Sequence, residues 1–454
     1  MSCFQKGAEM AFCSRLMGKG RASPWALAAL LAGALALSGC AGSGSARQPR
    51  KATRSAQAAA SYEPRYSADL GPDGRPAGQG RAPEMPAAQA PAAPPRPAAA
   101  PVGGTTIGNG PVKVALILPL SAPGQGAFVA QSMRNAADLA LSDFQDRHLT
   151  LLVKDDRGTP EGAQAAADQA LAEGAQLILG PIFAGSVQAA GQVARQAGKP
   201  LIGFSSDKSA AAQGVYLLSF MVQAEVDRII AFAAAQNRRS IAALIPETAY
   251  GRVAEAQLRE AAAENGMRIV AIERYPAGQP QGAVQRLAQM IGGPMPQAQA
   301  LFLPENGDGL PVVAQALQTI RFNPQQVKPL GTGVWDEARV FGLPVLQGGW
   351  FAAPDKRGFL DFASRYRLRF NSDPVRLATL SYDAVTLAAA LARMQGPQAF
   401  NDTVLTSAAG FAGSDGVFRF NPNGTNDRAL TVQEIRGGTA VVINAAPRTL
   451  VAAN

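Results

Sequence analysis

The chain has 454 residues, enough for two lobes of ordinary size, with 47% hydrophobic residues and a mean hydropathy near zero. Its cysteines are Cys3, Cys13 and Cys40 and its one histidine is His148, so beyond Cys40 there is no thiol for a disulfide, a Cys nucleophile or a zinc site, and no multi-histidine metal site. Of the net charge of +9, about +3 lies ahead of Cys40, about +4 between residues 41 and 110, and roughly +2 in the remainder, which shows no RNA- or DNA-binding motif.

The chain opens with Lys6, Arg15, Lys19 and Arg21, followed by an apolar segment from Trp25 to Leu37. A basic stretch, a short apolar segment and small residues make a secretory signal. The segment is 13 residues long, too short for a membrane span of roughly 20. Leu37-Ser38-Gly39-Cys40 resembles the lipobox of bacterial lipoproteins. That resemblance implies a signal peptide over 1–39, cleavage before Cys40, and a diacylated Cys40 thiol at a membrane surface outside the cytoplasm. Two or three acyl chains anchor stably, whereas one is marginal. Ala41 in place of an Asp implies sorting to the outer membrane in such lipoproteins.

Residues 40–110 are rich in Ala, Pro, Gly and Arg and poor in large apolar residues. Such a stretch buries too little surface to offset the entropy of ordering, so a disordered tether is expected. Its basic charge suits anionic lipid or cell-wall polymer, or merely solvation.

From Val112 the texture changes. Val112 to Pro119 reads as a buried strand, followed by a Gly-containing loop and a helix over about 127–142. The next strand covers 149–156. Thr159-Pro160-Glu161 has the form of an N-cap, a Pro at the first helical position and an acid in the first turn. Strands at 177–180 and 201–204 flank a helix over 187–197. Strands alternating with helices predict βαβ crossovers and a parallel sheet. The pattern restarts beyond Asp227, with strands at 240–245, 267–272, 300–303 and 329–332 and helices at 253–264 and 381–394. The stretches 416–420, 429–434 and 439–443 read as antiparallel strands. Two sheets of this kind make two α/β lobes.

The ordered set Val114 to Ser121, Lys154-Asp155-Asp156, Leu179-Gly180-Pro181, Phe204-Ser205-Ser206-Asp207, Tyr250-Gly251, Ser381-Tyr382-Asp383 and Phe411 to Gly424 resembles type I periplasmic binding proteins of the leucine-binding branch. Within it, the chain is most similar to the penicillin-binding protein activator lipoproteins of alphaproteobacteria. The resemblance implies a two-lobed α/β fold over 111–446, each lobe a mostly parallel sheet flanked by helices, with three inter-lobe crossings. Lobe one is expected at about 111–225 and 354–412, lobe two at about 226–353 and 413–446, and a tail at 447–454.

Ligands of open α/β sheets bind at the carboxyl ends of the strands. The cleft candidates are therefore Ser121, Gly124, Gln125, Ser186, Ser205, Ser206, Asp207, Tyr250, Asn306, Trp335 and Asp336. Asp207 could hold a ligand ammonium, cap a turn or pair with Lys208. Gly124-Gln125-Gly126 lacks the third glycine of a dinucleotide fingerprint and reads as a turn. Asp155 and Asp156 point to opposite faces of a strand and read as loop caps rather than metal ligands. His148 reads as a solvated turn residue. Arg365 to Phe370 reads as an amphipathic helix or a partner-binding patch. No catalytic constellation, metal or cofactor is expected. Two functions remain: activation of a bifunctional penicillin-binding protein in peptidoglycan synthesis, or substrate capture for an ABC permease importing amino acids or related small molecules.

Overall fold

The computed structural model describes residues 105–144 and 148–450. Cys40, the apolar segment before it and the tether up to residue 104 lie outside the described residues, as does the tail from 451.

The first lobe begins with β1 (Thr105–Gly108), β2 (Val112–Leu118), α1 (Gln125–Asp143), β3 (Leu149–Asp155), α2 (Pro160–Ala172), β4 (Leu177–Leu179), α3 (Ala184–Gln196), β5 (Leu201–Gly203) and β6 (Val215–Leu217). The strands lie in the order β1-β3-β2-β4-β5-β6, all parallel except β1, which runs antiparallel to β3. β2 shows why two helical layers are needed. Val114, Leu116 and Leu118 belong to the core on the α1 side, while Ala115 and Ile117 belong to the core under α2 and α3. Successive strand residues point to opposite faces, so a continuous apolar run must be covered twice. α2 starts where the sequence signals it, with Thr159 Oγ1 accepting the Gly162 N–H at 3.0 Å and Pro160 at the first helical position. β1 falls inside the expected tether. Its Thr-Thr-Ile run is too short to stand out among Gly and Pro, and it forms because the free edge of β3 accepts it as a partner.

The second lobe follows with α4 (Val222–Ala235), β7 (Ser240–Pro246), α5 (Ala249–Glu264), β8 (Arg268–Tyr275), α6 (Gln281–Ile291), β9 (Ala300–Phe302), α7 (Leu310–Thr319), β10 (Lys328–Gly331), α8 (Ala338–Phe341) and β11 (Trp350–Ala353). The same two-sided logic recurs in β7. Ile241, Ala243 and Ile245 pack toward α4 and α5, and Ala242 and Leu244 toward α6 and α7.

The chain then returns to the first lobe through α9 (Lys356–Phe370), α10 (Ala378–Gln395), α11 (Asp402–Leu405), β12 (Phe411–Gly413), β13 (Gly416–Phe420) and β14 (Asn426–Arg428), and ends in the second with β15 (Thr431–Arg436) and β16 (Thr439–Asn444). β15 and β16 extend the second sheet to β16-β15-β11-β10-β9-β7-β8. The sequence reading returns the chain to lobe two at 413. Instead, Phe418 and Phe420 share the first lobe's core with Phe362 and Tyr366. α9 also lies so close to the β12–β13 turn that a Cβ on Gly358 would stand 1.7 Å from the Ser414 carbonyl oxygen. The third crossing therefore falls at 429–430. Phe418→Ala should cost about 3–5 kcal/mol in urea denaturation, the range for emptying a buried aromatic site; a loss below about 1 kcal/mol would remove β13 from the core.

All three crossings meet at one cluster of charges. Phe220, on the first crossing, lies 4.7 Å from the Arg376 guanidinium and 5.1 Å from that of Arg428. Asp415, fully buried, accepts from Arg376 at 2.7 Å and from Thr379 Oγ1 at 2.5 Å. Asp383 accepts the Ser414 N–H at 2.7 Å, and its other oxygen lies 4.0 Å from Arg428. Burial raises the Asp415 carboxyl, but the charges of Arg376 and Arg428 outweigh it and hold the group low. Glu225, at the start of α4, accepts the Gly333 N–H at 3.0 Å. Burial pushes its carboxyl up to about 8, against the pull of that N–H and of Arg376. Between its ordinary value of 4.5 and about 8, the folded chain holds a proton there that the unfolded chain has released. Stability from this group is therefore full at acid pH and declines by about 1.4 kcal/mol per pH unit across that window. The stability difference between wild type and Glu225→Gln should follow this slope from pH 5 to 8 in chemical denaturation; a pH-independent difference would refute the raised carboxyl.

Candidate functional site

The carboxyl ends of both sheets face the cleft, and the sequence candidates distribute themselves unevenly there. On the first lobe, Ser121, Gly124 and Gln125 are exposed in the loop from β2 into α1. The Ser121 N–H donates to Asp155 at 3.2 Å, which ties this loop to the end of β3. Gly124 is the N-cap of α1 at φ 67°, and Phe183 is the N-cap of α3; neither helix has a side-chain cap. The first-turn N–H groups of these helices are thus left for another acceptor, and the helix dipole favours an anion. α2 contrasts with them, since Thr159 caps it.

Asp155 and Asp156 act as loop caps. Asp155 accepts the Arg157 N–H at 2.9 Å and Asp156 the Gly158 N–H at 2.9 Å. Asp156 is fully buried, and burial pushes its carboxyl up to about 7. Among the described residues, no group of three His, Cys, Asp or Glu could hold a metal ion.

The three readings of Asp207 separate on geometry. Its carboxylate accepts the Ser209 N–H at 2.9 Å and caps a short 3-10 turn over Lys208–Ala210, while its own N–H donates to Ser205 Oγ at 3.1 Å. Ser205 is buried beneath this turn and Ser206 is exposed beside it. Ser186 is buried in the first turn of α3, and its Oγ has no hydrogen-bond partner.

On the second lobe, Tyr250 lies in the first turn of α5, 2.5 Å from Thr332 Oγ1, and so links α5 to the end of β10. Asn306 is exposed and caps its own loop by accepting from the N–H groups of Asp308 and Gly309. Trp335 is a core residue rather than a cleft residue. It is fully buried in the second lobe, its indole N–H donates to the Leu303 carbonyl at 3.1 Å, and its ring fills the space where a Cβ at 331 would be. The glycine at 331 makes room for that ring, a relation no local pattern announces.

Asp336 does reach the cleft floor, where it forms an ion pair with Lys356 from the start of α9. Burial raises its carboxyl against the opposing charges of Lys356 and Arg376. A cavity of about 40 Å³ lies between the 333–337 turn, the 353–354 crossing and Arg376. Sequence reasoning passed over Lys356, Arg376, Glu225, Asp383, Asp415 and Arg428. The available signal for Asp383 was a lone charge inside an apolar helical run, between Leu380 and Val385, whereas Glu225 has Asp227 and Arg228 just behind it and gave no such signal. The arginines of α9 are engaged within the chain. Arg369 pairs with Asp138 at 3.0 Å, Arg365 with Asp143 and Tyr382, and Arg367 with Asp373.

The site thus joins two open helix N-termini on one wall to a mixed-charge floor, an arrangement suited to a small anion or zwitterion. The family profile described as "Periplasmic binding protein" matches residues 111–440. Among solved structures, a putative branched-chain amino acid ABC transporter protein from Rhodospirillum rubrum is 20% identical, with a TM-score of 0.65 over 73% of this chain and 99% of its own. A solute binding protein from Rhodopseudomonas palustris BisB5, in complex with 3,4-dihydroxy benzoic acid, is 20% identical with a TM-score of 0.55, covering 75% and 98%. The substrate binding protein LivJ from Streptococcus pneumoniae, in complex with isoleucine, is 16% identical with a TM-score of 0.52, covering 74% and 99%. No curated protein matches the chain. Among the described residues, no helix is long and apolar enough to cross a membrane, and the matched family works outside the cytoplasm. The two-lobed fold and the profile match over most of the chain establish that this protein belongs to the periplasmic binding protein family, in the leucine-binding-like type I arrangement.

Proposed function

We propose that this protein is the substrate-binding component of an ABC importer and captures a small carboxylate-bearing molecule between its lobes. The observation that carries the reading is the pair of uncapped helices, α1 and α3, opening on the cleft wall. They offer backbone N–H donors to a carboxylate, and Arg376 and Asp336 on the floor supply one charge of each sign. Solved relatives hold isoleucine and 3,4-dihydroxy benzoic acid, both of which carry a carboxylate. With Cys40 lipidated at the outer membrane, as Ala41 implies, the tether that follows it would have to carry the lobes inward to reach a permease in the inner membrane. The chemistry is binding without conversion.

A second reading, activation of a bifunctional penicillin-binding protein, draws support from one feature. The cleft floor is closed by the chain's own ion pairs around only about 40 Å³, room for water but not for an amino acid. In that case a surface, rather than the cleft, carries the function.

A melting panel of leucine, isoleucine, benzoate, 3,4-dihydroxybenzoate and short peptides separates the two readings. A true ligand at 100 times its Kd should add about 2.7 kcal/mol of stability, seen as a rise of several degrees. Gln125→Glu, which places a carboxylate at the first turn of α1, should stabilise the free protein by about 0.3–1 kcal/mol and weaken that ligand at least tenfold. No shift across the panel, together with faster glycan polymerisation by a synthase in the protein's presence, would replace the first reading with the second.

A further inference from the structure

At the end of the second lobe opposite the cleft, four cations gather where the strands begin. Ser240 pairs with Arg268, Ile241 with Ala300, and Ala300 with Lys328. This register brings Arg268, Arg239 (just ahead of β7) and Lys328 to the strand-start edge across β8, β7, β9 and β10, spanning roughly 14 Å at the usual interstrand spacing, with Arg268 level with Ser240 and Lys328 one residue further in, on the other face of the sheet. The backbone holds these residues in place. The Arg268 N–H donates to the Arg239 carbonyl at 2.8 Å, the Arg239 N–H to Gln299 Oε1 at 2.6 Å, and the Lys328 N–H to the Gln299 carbonyl at 3.0 Å.

Arg238 joins them from the end of α4. Burial pushes the Lys328 ammonium down; Glu434 opposes this, and the charge of Arg238 adds to it. Lys328 is anchored, with its Nζ donating to the Gly348 carbonyl at 2.7 Å and lying 4.7 Å from the Trp350 ring centre. Glu434 is shared, since it also accepts from the Trp350 indole and pairs with Arg436. Arg239 and Arg268 are exposed, and Arg238 Nε is buried with no hydrogen-bond partner. Among the described residues, no carboxylate forms an ion pair with Arg238, Arg239 or Arg268.

A buried guanidinium donor without an acceptor, beside a fixed ammonium, is satisfied by an oxyanion. Guanidinium groups match phosphate oxygens in geometry, and a group of cations favours an anion with more than one charge over a carboxylate. We infer that the strand-start end of the second lobe is a phosphate-binding face, with Arg238 and Lys328 at its centre and Arg239 and Arg268 flanking them. It is separate from the cleft and takes the phosphate of an anionic lipid headgroup or free phosphate.

The test uses the full chain, so that the basic N-terminal segment is common to every sample. Co-sedimentation with phosphatidylglycerol–phosphatidylcholine vesicles is compared with pure phosphatidylcholine vesicles, and inorganic phosphate is titrated by calorimetry against chloride at matched ionic strength. Arg239→Gln/Arg268→Gln alters two exposed side chains, and its melting temperature should equal the wild type's. It should weaken binding to the phosphatidylglycerol vesicles roughly thirtyfold, an effect that shrinks at high salt. Binding of inorganic phosphate alone, lost in Arg238→Gln, identifies a soluble source for the same face. Vesicle binding that is equal in wild type and both variants, with no phosphate binding, overturns the proposal.

Discussion

Phe220 lies between two guanidinium groups, and the molecule's architecture turns on that contact. Arg376 and Arg428 both face its ring, and both act on the buried carboxylate of Asp415. Each of these residues sits beside a place where the chain leaves one lobe or enters the other. Burying charge is costly unless every partner is present, and removing one partner of such a pair typically costs 3–5 kcal/mol. The crossings are thereby held in one mutual arrangement while each lobe keeps its own cores on either face of its sheet.

The same cluster forms the floor of the cleft. Lys356 and Asp336 extend it toward the second lobe, and Arg376 borders the small cavity between them. The wall of the first lobe contributes something different: backbone donors at the starts of α1 and α3, with no side chain to quench them. Rigid strands position both sets, and a hinge at the crossings is the element whose few residues could absorb a change in lobe angle. In the proposed reading, fixed dipoles and a few charges carry recognition.

Much of the fold was legible because its signals are local. The apolar run at β2, the Thr159-Pro160-Glu161 helix start and the alternation of strands with helices depend on near neighbours and on burial of two sheet faces. β1 escaped because four residues carry little pattern of their own and need the edge of β3. The allocation of β13 escaped because Phe418 and Phe420 would suit either lobe's core. For the candidate site, the strand-end rule expects Ser121, Gly124 and Gln125 after β2, Ser205 and Ser206 after β5 and Asp336 after β10, and the chain has them at those strand ends. It misplaced Trp335, whose position is set by the absence of a side chain at 331.

The sequence by itself determined the two α/β lobes, the order of their elements and the strand ends that border the cleft, since hydrophobic period and turn chemistry act over a few residues. Only the tertiary structure decided which charges meet. Asp383, Asp415, Arg376 and Arg428 are spread over more than fifty residues, and Glu225 lies far upstream. They come together because the three crossings converge, and their protonation follows from the burial that convergence creates. Likewise, the edge cluster formed by Arg239, Arg268 and Lys328 exists only once the strand register aligns the starts of β7, β8 and β10. Coulombic and desolvation energies depend on distance in space, which no reading along the chain supplies.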